Sequence, residues 1–333
     1  MSPAAAPALV ICLGEALIDR LGPPGGDVRI GPSSDCLGGA PANVACALAR
    51  LGTDSALVAR LGQDDAGRRF RALFQQRGVR PDGLQADPDR PTRVVLVSRD
   101  AAGERCFGGF MGDRGAGFAD QALNPDALQP VLEALLPRAA WLLVGTIPMA
   151  GGPAARAHAL AMAMAEAAGV PIAMDVNWRP TFWPCSAAQA RHPILAVLPR
   201  VAVLKLAAEE AEWLFASRDP VVVHRALPRR PDQACLVVIS DGSRPVRWSN
   251  GRLEGACPAL AVPVRDTTGA GDAFTAGLLH RLAEDPGMID SAAAAPLEEA
   301  IRFASACGAL TCGGEGAIEP QPDADAVRAL LQR

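Results

Sequence analysis

Residues Asp266 to Leu279 read DTTGAGDAFTAGLL, and the reading of this stretch decides how the rest of the chain is understood. Val262 and Val264 alternate just before it, which predicts the end of a strand. After it, Ala270, Phe274, Leu278 and Leu282 recur every four residues, the period of a buried helix face. Gly269, Ala270 and Gly271 therefore fall at a helix N-terminus, where the first backbone N–H groups lack intrahelical partners and the dipole is positive. Small residues there let an anion approach the amides closely. Asp272 falls in the first turn. It either complements the dipole of a capped helix or takes a proton from a group about to attack the anion.

The 333 residues suffice for a large α/β core, and at 50% hydrophobic the composition is that of a globular chain. No apolar run reaches the roughly 18 residues that span a bilayer. The opening MSPAAAPALVICLGEAL has no basic leader and reads as a first strand, which predicts a cytoplasmic protein. A net charge of −4, with only doublets such as Arg68-Arg69 and Arg229-Arg230, argues against a nucleic-acid partner. Nine irregularly spaced cysteines without a C-x-x-C read as reduced thiols, and four scattered histidines give no zinc pattern. Lys205 is the sole lysine, no Gly-Lys-Ser/Thr triplet occurs, and H-R-D and D-F-G are absent, so a Walker A loop and a protein-kinase motif set are both excluded. If nucleotide phosphates are handled here, backbone amides, arginine and a metal ion must do it.

Short apolar runs alternate with amphipathic stretches, the pattern of a doubly wound, mostly parallel sheet flanked by helices. Strands are predicted at 8–14, 55–62, 140–147, 171–177, 201–206 and 235–240. Helices are predicted near 41–51, 65–77, 126–136, 152–168, 207–216, 269–284, 294–312 and 323–332. Ligands of such sheets bind beyond the carboxyl ends of the strands, where Asp19, Thr146, Asp175, Asn177 and Asp241 fall. Segments 21–39 and 92–113 contain extended pieces and turns but no helix, with SRDAAGER as a hairpin turn. They are expected to form a small flap of antiparallel strands. No linker interrupts residues 1–333, so one domain with a β-lid is expected.

A second glycine-led helix start, Gly38-Gly39-Ala40-Pro41-Ala42-Asn43, precedes VACALARLG. Pro41 suits the first helical turn, whereas Asn43 is not placed there by helix propensity. The Gly38 and Gly39 amides, the Asn43 side chain and the short carboxylate of Asp19 can hold a polyhydroxy ligand. A capped helix with one solvated asparagine accounts for the same residues.

GGAPANVACALARLG and DTTGAGDAF together resemble the N-terminal and C-terminal signatures of the ribokinase (PfkB) family of carbohydrate kinases. The resemblance spans the chain, through GEALID and KLAAEEAEWLF, while DVNWRPTFW and GERCFGGF are most similar to bacterial fructokinases within that family. It implies a ribokinase-like fold with a β-lid over the sugar, and ATP-dependent phosphorylation of a sugar hydroxyl, fructose to fructose 6-phosphate. By position, Asp272 would be the general base and Gly269, Ala270 and Gly271 the anion hole. Asp19, Gly38, Gly39, Asn43 and Arg179 would hold the sugar; Ser240, Gly242 and Glu210 would lie on the nucleotide side. ATP and Mg²⁺ are implied, and K⁺ at a site formed by Asp266, Thr268, Thr311, Gly314 and Gly316.

Three positions depart from the family pattern. Ala207 replaces the asparagine or serine that usually starts N-x-x-E, Pro245 replaces a glycine N–H of the nucleotide loop, and Pro320 replaces a side-chain ligand of the cation. Ribose, 2-keto-3-deoxygluconate, a nucleoside or an aminoimidazole riboside are alternative acceptors, and a non-catalytic sugar or nucleotide sensor is the alternative to an enzyme. The absence of tyrosine argues against an aromatic clamp on a nucleoside base. A lid with an exposed edge permits a homodimer.

Overall fold

The computed structural model describes residues 8–25, 28–29, 33–99, 105–228 and 234–332. Its strands are β1 (Leu9–Leu13), β2 (Leu17–Pro24), β3 (Ser34–Gly38), β4 (Ser55–Gly62), β5 (Leu84–Asp87), β6 (Val94–Arg99) and β7 (Arg105–Met111) in the first part of the chain. β8 (Ala139–Val144), β9 (Ile172–Asp175), β10 (Val203–Ala207), β11 (Leu236–Ser240), β12 (Val246–Ser249) and β13 (Glu254–Cys257) follow. The helices are α1 (Ala40–Leu51), α2 (Asp65–Arg77), α3 (Pro125–Leu135), α4 (Gly152–Ala167), α5 (Ala187–Val197), α6 (Ala208–Phe215), α7 (Pro220–Ala226), α8 (Ala270–Glu284), α9 (Ala294–Thr311) and α10 (Ala324–Leu331).

Nine strands form one sheet in the order β13-β12-β11-β10-β9-β8-β1-β4-β5, parallel except for the two antiparallel pairings of β12. The apolar run LVICL of β1 is buried throughout because helices cover both faces. On one face α1, α8 and α9 contribute Leu48, Phe274, Leu278, Leu282 and Ile301 to the core. On the other, α3 to α7 contribute Leu132, Met162, Ile194, Leu214 and Val223. The chain winds outward from β1 toward β5 on one side and from β8 toward β11 on the other. The strand order therefore reverses at β1 and β8, and the crevice at their carboxyl ends is where such a sheet receives a ligand. Among the described residues no helix is long and apolar enough to cross a membrane.

The remaining four strands form a second sheet, β3-β2-β6-β7, built from the two segments that lack helices. It begins at Leu17, earlier than the flap expected from 21–39, and it is not wholly antiparallel: β2 pairs with β6 in parallel. The reason is connectivity. β2 and β6 each leave the main sheet, after β1 and after β5, and so run in the same direction. The hairpin turn expected at SRDAAGER and the doublet Arg229-Arg230 lie largely or wholly outside the described residues.

Sequence periodicity missed several elements. α5 carries Pro193 inside it but is started by a capping box in which Ser186 Oγ accepts from Gln189 N–H. α7 reads PVVVHRA, whose β-branched run suggests a strand; Pro220 at its first turn and Asp219 capping Val221 N–H make it a helix. The strand expected to end at VPVRDTT is absent. Residues 258–264 form no ladder, Pro258 and Pro263 lack the N–H one needs, and Val264 is 62% exposed.

Candidate active site

α8 begins where the sequence predicts, with Gly269 as its N-cap at φ 75°. A β-carbon there would stand 2.6 Å from the Ala317 methyl, so both the backbone conformation and the packing require glycine. Gly269→Ala is expected to cost about 1–3 kcal/mol of stability through strain, read by denaturant unfolding, and to lower kcat.

The second glycine-led start is built on the same logic. Gly39 has φ 101°, and a β-carbon on it would lie 2.6 Å from the Glu15 carbonyl oxygen that follows β1. This close approach brings the first turn of α1 onto the carboxyl end of the main sheet. Its Asn43 is 4% exposed, and Asn43 Nδ2 donates to Asp272 Oδ2 at 2.7 Å. The two helix starts therefore meet through one hydrogen bond. Asn43 Oδ1 is buried without a partner, an acceptor left over for a hydroxyl. Asp19, on β2, turns to the same turn: a β-carbon on Gly38 would be 3.0 Å from Asp19 Oδ2. Asp19, Gly38, Gly39 and Asn43 thus gather at the start of α1, and Asn43 ties that start to Asp272.

Behind α8 lies a charged cluster of which the sequence placed only Asp175 at the ligand end of the sheet. Lys205 Nζ donates to both oxygens of Asp175 at 3.0 Å, and the Thr275 hydroxyl donates to Asp175 Oδ2 at 2.7 Å. Nζ also stands 3.2 Å from where a β-carbon of Gly271 would be, so the ammonium lies beside the first turn of α8. One signal was available: a lone charge inside VAVLKLA must be paired in a buried parallel strand. Burial opposes the Lys205 ammonium, but Asp175, Glu210 and Asp272 outweigh it and hold its pKa above the ordinary value.

Burial is also the largest influence on Asp272 and raises its carboxyl. The Asn43 hydrogen bond opposes this, Asp175 adds to it, and the Lys205 and Arg179 charges oppose it, leaving the group pushed up to about 6. Burial likewise pushes the Glu15 carboxyl up to about 8, against hydrogen bonds from its own N–H and from Ala40 N–H. A cavity of about 580 Å³ opens between the carboxyl-end loops and the small sheet, lined by Glu15, Arg93, Phe110, Asp120, Ile147 and Phe182 among others. Asp272 does not line it.

The other expected residues are placed less tightly. Arg179 is exposed; Nη1 donates to Trp178 O at 3.0 Å, and its charge is felt at Asp272. Glu210 is buried, one oxygen accepting from Trp178 N–H at 2.6 Å and the other from Ala207 N–H at 2.7 Å. It ties the loop after β9 to the start of α6, and burial, opposed by Lys205, raises its pKa. Ser240 ends β11, and Gly242 follows in a left-handed turn with open space around it.

Asp266 joins two loops: Oδ1 accepts from Thr268 N–H and its hydroxyl, and Oδ2 accepts from Gly316 N–H at 3.0 Å. Arg265 and Asp266 N–H both donate to Cys312 O, so 265–268 and the 311–316 segment lie side by side. Thr311 Oγ1 is turned back onto Cys307 O. Gly314 packs under Pro320, whose Cβ lies 2.5 Å from where a β-carbon of Gly314 would be. The two loops expected to hold a monovalent cation thus lie side by side.

A family model described as pfkB family carbohydrate kinase matches residues 7–324. Fructokinase-1 of Zea mays is 35% identical over 331 residues, covering 98% of each chain. Among solved structures, the fructokinase of Xylella fastidiosa with bound ATP superposes with a TM-score of 0.85 at 30% identity, covering 97% of this chain and 98% of that one. The fructokinase of Vibrio cholerae O395, in its fructose, ADP and calcium ion bound form, gives a TM-score of 0.79 at 27% identity over 97% of this chain and 99% of that one.

Proposed function

The chain belongs to the pfkB family of carbohydrate kinases, and from that premise we propose that it transfers the γ-phosphoryl group of ATP to the primary hydroxyl of fructose, giving fructose 6-phosphate. The observation that carries the reading is the Asn43–Asp272 hydrogen bond of 2.7 Å, which joins the sugar-side helix start to the phosphate-side one. The names of the similar proteins, fructokinases throughout those compared above, support fructose as the acceptor.

In this mechanism Asp19, the Gly38 and Gly39 amides and Asn43 hold the acceptor's hydroxyl groups. Asp272 accepts the proton of the attacking hydroxyl, while the N–H groups at Gly269, Ala270 and Gly271 stabilise charge on the phosphoryl group in transfer. Lys205 adds a fixed positive charge behind those amides, and Arg179 supplies one from the exposed loop. Ser240, Gly242 and Glu210 belong to the nucleotide side. Bound Mg²⁺ would neutralise phosphate charge during the transfer. A potassium ion would be held by Asp266, Thr268, Thr311, Gly314 and Gly316. We place the enzyme in the cytoplasm, and a homodimer would use the small sheet, where Phe107 is exposed.

The reading is tested by ADP release with Mg·ATP and K⁺ across fructose, ribose, 2-keto-3-deoxygluconate, adenosine and no acceptor. Fructose is expected to give the highest kcat/KM, and ribose giving it instead would reassign the acceptor. The same assay carries a pH prediction. Asp272 works as a carboxylate, so kcat/KM should rise about tenfold per pH unit below about 6 and level off above it. A profile flat from pH 5 to 8 would exclude Asp272 as the titrating base.

A further inference from the structure

Arg93 stands one residue before β6, at the root of the small sheet, and its carbonyl accepts from Ile18 N–H of β2 at 2.9 Å. Its guanidinium donates through Nε and Nη2 to the two Asp120 oxygens at 2.8 and 3.0 Å. Both side chains are almost fully buried, 4% and 5% exposed. The guanidinium also lies 4.9, 4.5 and 4.7 Å from the ring centres of Phe110, Phe118 and Phe182.

These partners come from three separate parts of the chain. Phe110 is on β7 of the small sheet. Phe118 precedes, and Asp120 belongs to, the short 3-10 turn at Ala119–Ala122. Phe182 ends the turn Pro180–Phe182, in the same carboxyl-end loop as Arg179. Phe110 meets Phe182 edge-on at 5.1 Å and Phe118 at 5.7 Å. A single guanidinium therefore joins the small sheet, the connection that leads from it to α3, and the loop that follows β9.

A buried ion pair is weak support for stability, because apolar residues of like volume often serve as well or better. What a planar, bidentate and stacked arginine adds is position: its orientation is fixed in two directions at once. β2 carries Asp19, and the loop with Phe182 carries Arg179, so the distance between the two halves of the acceptor clamp is set across this contact. Displacements of about 1 Å in a reacting assembly can cost on the order of 10² in rate.

We propose that Arg93, paired with Asp120 and enclosed by Phe110, Phe118 and Phe182, is a positioning residue that holds the small sheet in register with the carboxyl-end loop and so places the acceptor for attack. The inference rests on the kinase reading. Arg93 touches no reacting atom; it acts through Asp19 and the loop of Arg179. Loosening the contact admits water in place of the sugar hydroxyl, and ATP is then split to ADP and inorganic phosphate.

The test compares wild type with Arg93→Lys, Phe110→Leu and the double variant Arg93→Met/Asp120→Leu, which removes both charges and keeps the volume. Acceptor KM, kcat, and the ratio of ADP to sugar phosphate are read together with the unfolding midpoint. The expected result is an acceptor KM raised about tenfold, a smaller change in kcat, and an ADP to sugar phosphate ratio above one in variants that remain folded. A folded double variant with wild-type KM and one ADP per sugar phosphate, altered only in its unfolding midpoint, would overturn the proposal. Wild type making no sugar phosphate from any acceptor would overturn the kinase reading itself, which separates the two failures.

Discussion

Replacing Asp272 by asparagine should lower kcat by about 10² to 10⁴ while leaving ATP and fructose binding within a few-fold of wild type. The amide has nearly the shape of the carboxylate and can still accept the hydrogen bond from Asn43 Nδ2, so the acceptor side of the site stays in place. What is lost is the proton acceptor. The variant should also be no less stable than wild type near neutral pH. A carboxyl raised from its ordinary value to about 6 binds its proton more tightly in the folded chain than in the unfolded one. Its contribution is therefore fully present at low pH and is lost as pH rises from about 4 through about 6. Asparagine carries no such penalty. Calorimetric titration of both ligands, beside single-turnover kinetics, separates loss of chemistry from loss of binding.

Lys205→Met should destabilise the protein by about 3–5 kcal/mol in denaturant unfolding, the usual cost of leaving one member of a buried pair alone. Asp175 would keep the Thr275 hydroxyl but lose both 3.0 Å bonds from Nζ, leaving a buried carboxylate without its counter-charge. The loss should be smaller in Lys205→Met/Asp175→Asn, where Asp175 no longer carries a charge, and adding Asp175→Asn alone completes the cycle that gives the coupling of the pair. An equal loss in both would mean that Lys205 acts by packing alone. Activity should fall in both, since the cluster anchors the first turns of α8 from below the phosphate cradle.

The parts of the molecule that were legible in the sequence are those where a local rule and the tertiary fold agree. Gly269 and Gly39 announce helix starts because no other residue suits a left-handed turn against a neighbouring backbone, and the four-residue spacing after Ala270 is the face that α8 buries. The strands β1, β4, β10 and β11 read as apolar runs because they are covered on both sides. Elsewhere the decisive partner is far away in sequence. The Asn43–Asp272 bond spans 229 positions and the Lys205–Asp175 pair 30, and no spacing rule reaches either. The parallel pairing of β2 with β6 follows from where each strand leaves the main sheet, which composition does not record. The valines before Arg265 look like a strand only if their two prolines are overlooked. Burial, which no local sequence rule measures, is the largest influence on the Asp272 pKa and raises it.

Glu15 illustrates the same limit on the site itself. Its place after the first strand is obvious, but not that the Gly38-Gly39 turn folds down upon its carbonyl, that it lines the cavity beneath the small sheet, or that burial raises its carboxyl. These depend on α1 being pressed onto the carboxyl end of the sheet.

The γ-phosphoryl group of labelled ATP, followed into products with fructose present for wild type and Asp272→Asn side by side, decides whether Asp272 works as the base of a fructose kinase. Fructose phosphorylated at its primary C6 hydroxyl is expected, with one ADP for each sugar phosphate and almost none of either from the variant. Label appearing only as inorganic phosphate, or sugar phosphate formed equally well by Asp272→Asn, would rule that role out.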